Sequence, residues 1–165
     1  MIKITNLNKN FNNRILFNDF NLELDSNKLI FITGPSGSGK TTLLNMIGNI
    51  VLPDSGKITY LEKDKEYSLI NNKNNVKIGI VFQAFNLLNN LSAFDNLSIA
   101  QQINGREIEK HKINSPLENF DLDKEKKILA KNLSSGQQQR LAFLRSLVLE
   151  NDILLADEPT GNLDS

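Results

Sequence analysis

Residues 29–50 place the tightest limit on the fold. Leu29-Ile30-Phe31-Ile32 is a continuous, β-branched-rich apolar run, the pattern of a strand buried on both faces. It leads into Gly34-Pro35-Ser36-Gly37-Ser38-Gly39-Lys40-Thr41, which satisfies G-x-x-x-x-G-K-[ST]. Behind it Leu43, Ile47 and Ile50 recur at helical period, and Pro53 with Gly56 closes the segment, so a helix should follow the loop. Strand, Gly-rich loop and helix in that order belong to an α/β architecture. Glycines let backbone N–H groups converge on phosphates, and the helix N-terminus adds partial positive charge. Lys40 is expected to bridge β- and γ-phosphates, Thr41 to give its hydroxyl to Mg²⁺, and Thr42 to donate on the α-phosphate side. The plain alternative, a Gly/Ser turn capping a helix, leaves the register of Lys40 and Thr41 unexplained.

The rest of the chain alternates strands with helices. Ile2 and Ile4, then Phe20, Leu22 and Leu24, alternate apolar with polar residues as antiparallel, half-buried strands do. Val76, Ile78, Ile80 and Phe82 alternate towards Gln83, and Ile153-Leu154-Leu155-Ala156 reads as a wholly apolar buried strand. Between them residues 93–131 are polar and poor in β-branched runs, which predicts short helices around loops near Asn104-Gly105 and Ser115-Pro116. Glu62 to Lys77 reads as a solvated hairpin or loop.

The second apolar strand ends in Asp157-Glu158. Asp157 can hold Mg²⁺ through its water shell, and Glu158 can take the proton of an attacking water. Leu133-Ser134-Ser135-Gly136-Gln137-Gln138-Gln139-Arg140 precedes a helix with Leu141, Leu144 and Val148 in one stripe. Ser134 to Gln137 therefore sit at a helix N-terminus, a place suited to anions.

That last string resembles the signature of ATP-binding cassette (ABC) ATPases, and it stands in the family's order, just before the strand ending in Asp-Glu. VFQAFNLL places Gln83 at the family's Q-loop position, DEPTGNLDS places Asp164 in its D-loop, and Phe11 in NLNKNF matches the aromatic that stacks on adenine. The wording is most similar to lipoprotein-release, macrolide-export and antimicrobial-peptide exporters. The resemblance implies a P-loop NTPase core of ABC type with N-terminal antiparallel β-structure and an inserted α-helical subdomain. One domain, 1–165, is expected: a nucleotide-binding core of 1–83 and 150–165, and a helical subdomain of 84–149 carrying the signature and the helix after it.

The resemblance also implies ATP and Mg²⁺ as cofactors, with Thr41, Gln83 and Asp157 at the metal and Glu158, Gln83 and Lys40 in catalysis. Two such domains would pair head to tail, each ATP lying between one phosphate loop and the other domain's Ser134, Ser135, Gly136 and Gln137. A transmembrane permease would be the further partner and would hold the chain at the inner, cytoplasmic face of the cell membrane. Ser135 replaces the first glycine of the usual signature. At negative φ that change is mild; at positive φ it would strain the loop by about 1–3 kcal/mol. The chain ends at Ser165, before the position of the family's H-loop histidine, so a C-terminally incomplete domain is expected, a poor ATPase on its own. His111 falls inside the helical insert and reads as an exposed helical residue.

Composition narrows the rivals. Nineteen Lys+Arg balance nineteen Asp+Glu among 165 residues, so no electrostatic footprint argues for nucleic acid. There is no cysteine and one histidine, which excludes a thiolate zinc site. Nowhere do about 18 apolar residues run together, as a spanning helix needs. Two alternatives stay open: a non-transport cassette ATPase of cell division, translation or repair, and a fragment that binds ATP without hydrolysing it.

Overall fold

The computed structural model describes residues 1–11, 14–71, 76–103 and 107–159. The chain divides into two compact units, Met1–Val76 and Lys77–Ser165.

The first unit is built on a four-stranded antiparallel sheet of order β2-β1-β3-β4: β1 Ile2–Phe11, β2 Arg14–Leu24, β3 Ser55–Glu62 and β4 Lys65–Ser68. The expected N-terminal pairing is present, Ile2 opposite Leu24 and Ile4 opposite Leu22. Ile4 and Leu7 are both buried although three positions apart, a spacing that a flat strand would send to opposite faces. A register shift between Ile4 and Leu7, with Asn6 at φ 50°, absorbs the extra residue. Asn6 N–H donates to Asn21 Oδ1 at 2.9 Å and Asp19 N–H to Asn8 Oδ1 at 2.9 Å, so asparagine amides replace the ladder bonds that the bulges remove. Lys63 and Asp64, at φ 46° and 64°, make the two-residue turn between β3 and β4, in keeping with the solvated hairpin expected there.

Gly56 occupies φ 97° beside the same bulge, and a Cβ there would meet the Asn6 carbonyl oxygen at 2.5 Å and Leu7 Cα at 2.7 Å. Backbone cannot move aside as a side-chain tip can. Gly56→Ala is therefore expected to destabilise the protein by at least about 2 kcal/mol, read as a lower urea midpoint at unchanged slope; an unchanged midpoint would mean that the bulge relaxes freely.

Two expectations for this unit need correction. Leu29-Ile30-Phe31-Ile32 is not a buried strand: the segment carries no assigned strand, and Leu29 and Phe31 are 82% and 79% exposed. A run becomes a strand only by pairing, and no strand of the four-stranded sheet pairs with it. The helix after the loop, α1, runs Lys40–Ile47 and stops at Gly48, with Asn49 at φ 57° turning the chain away. Its buried stripe is Leu43, Met46 and Ile47, while Ile50 lies outside it and is exposed.

In the second unit β5 (Ile78–Val81) pairs parallel with β6 (Ile153–Ala156), Ile78 opposite Ile153 and Val81 opposite Ala156. The alternation of Ile78 and Ile80 does not mark the buried face. Gly79 and Val81 are buried instead, because Asn151 packs where a Cβ on Gly79 would stand. Nor is the apolar β6 wholly buried: Ile153 and Leu155 are buried while Leu154 is 40% exposed.

The helical insert follows as α2 (Ala93–Ile103), α3 (Lys110–Asn119) and α4 (Ser135–Leu147). Leu97, Ile113, Leu117, Leu122, Leu141 and Leu144 meet in its core. The loop expected at Ser115-Pro116 is helix: Pro116 lies inside α3. Proline removes one backbone donor, and burial of Ile113 and Leu117 on either side outweighs that loss. Asn104-Gly105 lies outside the described residues. His111 stands exposed on α3, 3.6 Å from Glu109, as its place in the insert suggested. Among the described residues no helix is long and apolar enough to cross a membrane.

Candidate functional site

The loop Gly34 to Lys40 has a backbone that demands its glycines. Gly37 and Gly39 lie at φ 74° and 100°, and a Cβ on Gly39 would strike the Phe17 ring at 2.9 Å. Gly39 also caps α1, whose first turn has neither a side-chain cap nor an acidic residue. The positive end of the helix dipole therefore lies at the loop, where it favours an anion. Lys40 Nζ donates to the carbonyls of Gly34 at 2.9 Å and Pro35 at 3.0 Å, which lays the ammonium across the start of the loop. Ser38 N–H closes the turn onto Pro35 O at 3.2 Å. The donor set, peptide N–H groups, one ammonium and the hydroxyls of Ser36, Ser38, Thr41 and Thr42, is that of a phosphate cradle and fits a nucleotide's anionic end.

Phe11 is 46% exposed at the end of β1, directly opposite Arg14 in the ladder. One face of its ring is covered by Lys9, whose Nζ sits 5.0 Å from the centroid and also bonds Asp54 at 2.9 Å. Arg14 donates to the Gly37 carbonyl at 3.2 Å, tying the hairpin to the phosphate loop. Motif reading passes over Arg14, since it lies in no motif.

In the second unit the end of β5 and the end of β6 bring two assigned residues together. Gln83 Nε2 donates to Glu158 Oε2 at 3.0 Å, and Asp157 N–H donates to the Val81 carbonyl at 2.9 Å. Parallel register sets this meeting: Val81 faces Ala156, so the residues two further on in each strand's direction converge. Glu158 is held at φ 48°, a left-handed conformation that costs a non-glycine residue of order 1–3 kcal/mol and aims its carboxylate back at Gln83. Asp164 lies outside the described residues.

Ser134 caps α4. Its Oγ accepts from Gln137 N–H at 3.3 Å while Gln137 Oε1 accepts from Ser134 N–H at 2.9 Å, a reciprocal capping box. Ser135 is the first helical residue and is not at positive φ, so its Cβ imposes no strain. Among the described residues a Cβ on Gly136 would meet nothing within 4 Å, so packing against them does not require this glycine.

The sequence profile of the family described as "ABC transporter" matches residues 17–161. The chain belongs to that family. The ABC signature, phosphate loop and Asp-Glu strand end thus stand in a P-loop NTPase of the ABC ATPase type. Over its whole length the chain is 38% identical to the macrolide export ATP-binding/permease protein MacB of Campylobacter jejuni. It is 36% identical, over 99% of its length, to the sulfate/thiosulfate import ATP-binding protein CysA of Pseudomonas aeruginosa. It spans 26% of the former and 51% of the latter. The dimeric, post-hydrolysis structure of the ATP-binding cassette MJ0796 bound to ADP and Pi is similar with a TM-score of 0.82 and 32% identity, covering 100% of this chain and 77% of that one.

Two residues beside the ABC motifs escape motif reading. Gln139, Ala142 and Ser146 are buried, a second stripe on α4 at i, i+3, i+7 beside Leu141 and Leu144. That stripe was the available signal for Gln139. Arg145 has none in the pattern, and its partners emerge only in three dimensions.

Proposed function

We propose that this chain is the ATP-binding and ATP-hydrolysing part of an ABC transporter, coupling hydrolysis to export or release of a substrate through a transmembrane permease. The observation that carries the reading is the Gln83–Glu158 hydrogen bond at 3.0 Å beside Asp157. It supports Glu158 as the carboxylate base, Gln83 as its orienting amide and Asp157 as a metal-binding carboxylate, since the three residues stand at the ends of adjacent strands. The functional division follows the ABC plan: 1–83 with 150–165 as nucleotide-binding core, 84–149 as helical subdomain.

Adenine stacks on the face of Phe11 that Lys9 leaves open. The loop amides and Lys40 hold the phosphates, the ammonium exchanging carbonyl oxygens for phosphate oxygens, which are stronger acceptors. By the family resemblance Thr41, Gln83 and Asp157 would supply oxygen donors to Mg²⁺, donor types suited to a hard cation. When bound, the ion neutralises charge that develops on the phosphate oxygens. Glu158 takes the proton of the attacking water, with Gln83 holding the carboxylate in place. Ser134 retains its hydroxyl proton while its oxygen accepts from Gln137, so it can still donate to the nucleotide of a second cassette, in a head-to-tail pair at the cytoplasmic face of the membrane.

Phosphate release by the full-length protein with its permease, in the presence and absence of Mg-ATP and transported substrate, tests the reading; no nucleotide binding would refute it. Gly136 offers a sharper probe of the paired state. Because a Cβ there meets nothing within 4 Å among the described residues, Gly136→Ala is expected to leave stability within about 0.5 kcal/mol while weakening ATP-dependent dimerisation, followed by light scattering. Normal dimerisation would remove the N-terminus of α4 from the nucleotide interface.

A further inference from the structure

Gln83 and Glu158 lie 75 residues apart in sequence, and the short stretches just after them, Phe85 with Asn86 and Pro159, belong to no helix or strand. Two side chains of one helix, α4, hold those segments. Arg145 Nη1 donates to the Asn86 carbonyl at 2.6 Å and Nη2 to the Phe85 carbonyl at 3.2 Å. It thereby grips two consecutive peptides just past Gln83, where Asn86 turns at φ 50°. One and a half turns earlier on α4, Gln139 Nε2 donates to the carbonyl of Pro159, the residue after Glu158.

Both anchors are costly to keep. The guanidinium of Arg145 is partly buried, and among the described residues its acceptors are the two carbonyls, with no carboxylate paired to it. Gln139 is 7% exposed, and its Oε1 is buried without a hydrogen-bond partner among the described residues. A buried amide that satisfies its donor and orphans its acceptor is poor for stability alone. A leucine or methionine would fill the same volume without that orphan.

We propose that Gln139 and Arg145 are positioning residues: α4, which Ser134 caps, serves as a ruler that fixes Gln83 against Glu158 by holding the segment behind each. The inference rests on the reading of Glu158 as base. It assigns the helix a task at its middle and end that is separate from that of its N-terminus.

The test compares full-length protein carrying Gln139→Met, Arg145→Lys and Glu158→Gln. Steady-state kcat and KM for Mg-ATP are measured together with thermal unfolding. Methionine matches the volume of Gln139 and removes both the donor and the orphan; lysine keeps the charge of Arg145 but cannot span two carbonyls. The expected result is a fall in kcat of about 10- to 100-fold in Gln139→Met and in Arg145→Lys, with KM within about twofold and the unfolding temperature of Gln139→Met unchanged or raised. Adding Gln83→Ala to Arg145→Lys should cost little more than Gln83→Ala alone, since the arginine acts through that residue. Parental kcat in Gln139→Met, or multiplicative losses in the double variant, overturns the proposal. If Arg145→Lys folds poorly, Gln139→Met decides by itself. Hydrolysis that survives Glu158→Gln instead overturns the reading of the base, so the two failures are distinguishable.

Discussion

Glu158→Gln is expected to keep nucleotide and lose hydrolysis, with kcat falling by about 10²- to 10⁴-fold. The substitution is nearly isosteric. A glutamine there can still accept from Gln83 Nε2 through its amide oxygen, so the 3.0 Å contact and the left-handed turn at residue 158 can persist. What disappears is the capacity to take a proton from water. Bound ATP should then outlive many parental turnovers, and the variant should collect as a nucleotide-bound dimer, visible by size-exclusion chromatography with Mg-ATP. Single-turnover phosphate release separates this from a binding defect. Turnover within tenfold of the parent would move the base to another residue.

The second large effect is expected at the phosphate loop. Lys40→Ala should weaken Mg-ATP binding by about 10- to 100-fold, the range in which a hydrogen bond to a charged group falls. Lys40 acts twice. Its ammonium bonds the carbonyls of Gly34 and Pro35, which closes the loop's first turn, and it brings a full positive charge to a site whose other donors are neutral. Arg14 reaches only the Gly37 carbonyl, so it does not replace that closure. Calorimetric titration measures the change. An affinity within about twofold of the parent, a difference under roughly 0.5 kcal/mol, would count against phosphate binding at this loop.

Motifs were legible in the sequence wherever backbone conformation and residue type are coupled. Gly37 and Gly39 lie at positive φ as a phosphate loop needs, and Ser134 with Gln137 forms the capping box that Ser-x-x-Gln announces. The antiparallel N-terminus was equally readable, since Ile2 and Ile4 keep period two over the paired stretch. Apolar runs misled where pairing decides. Leu29 to Ile32 has the composition of a buried strand, yet strand identity depends on a neighbour that composition does not name. Ile78 and Ile80 suggested one face of β5, and the packing of Asn151 against Gly79 selected the other. Pro116 reads as a breaker by local rule, and tertiary burial of its helix neighbours overrode it. Asparagine was the least transparent residue: Asn6, Asn27, Asn49, Asn71 and Asn86 all adopt positive φ, a role that a polar, asparagine-rich sequence does not distinguish from a solvated surface.

The parallel pairing of β5 with β6 has a consequence for how this chain can vary. Antiparallel neighbours can be joined by a two-residue turn, but parallel ones require a crossover of a dozen residues or more. Here the crossover is the stretch that holds α2, α3 and α4. Its connecting loops can lengthen cheaply, since each doubling of a flexible loop costs only about 0.6 kcal/mol. The crossover itself cannot be excised. A shortcut from Gln83 to Ile153 would leave too little chain to return to the start of β6, and the two strands would have to reverse their relative direction. Gln83 and Glu158 would then emerge at opposite ends of the pair. Lineages derived from this chain can therefore trade the insert's surface, length and partners, but each must retain some bridge in its place.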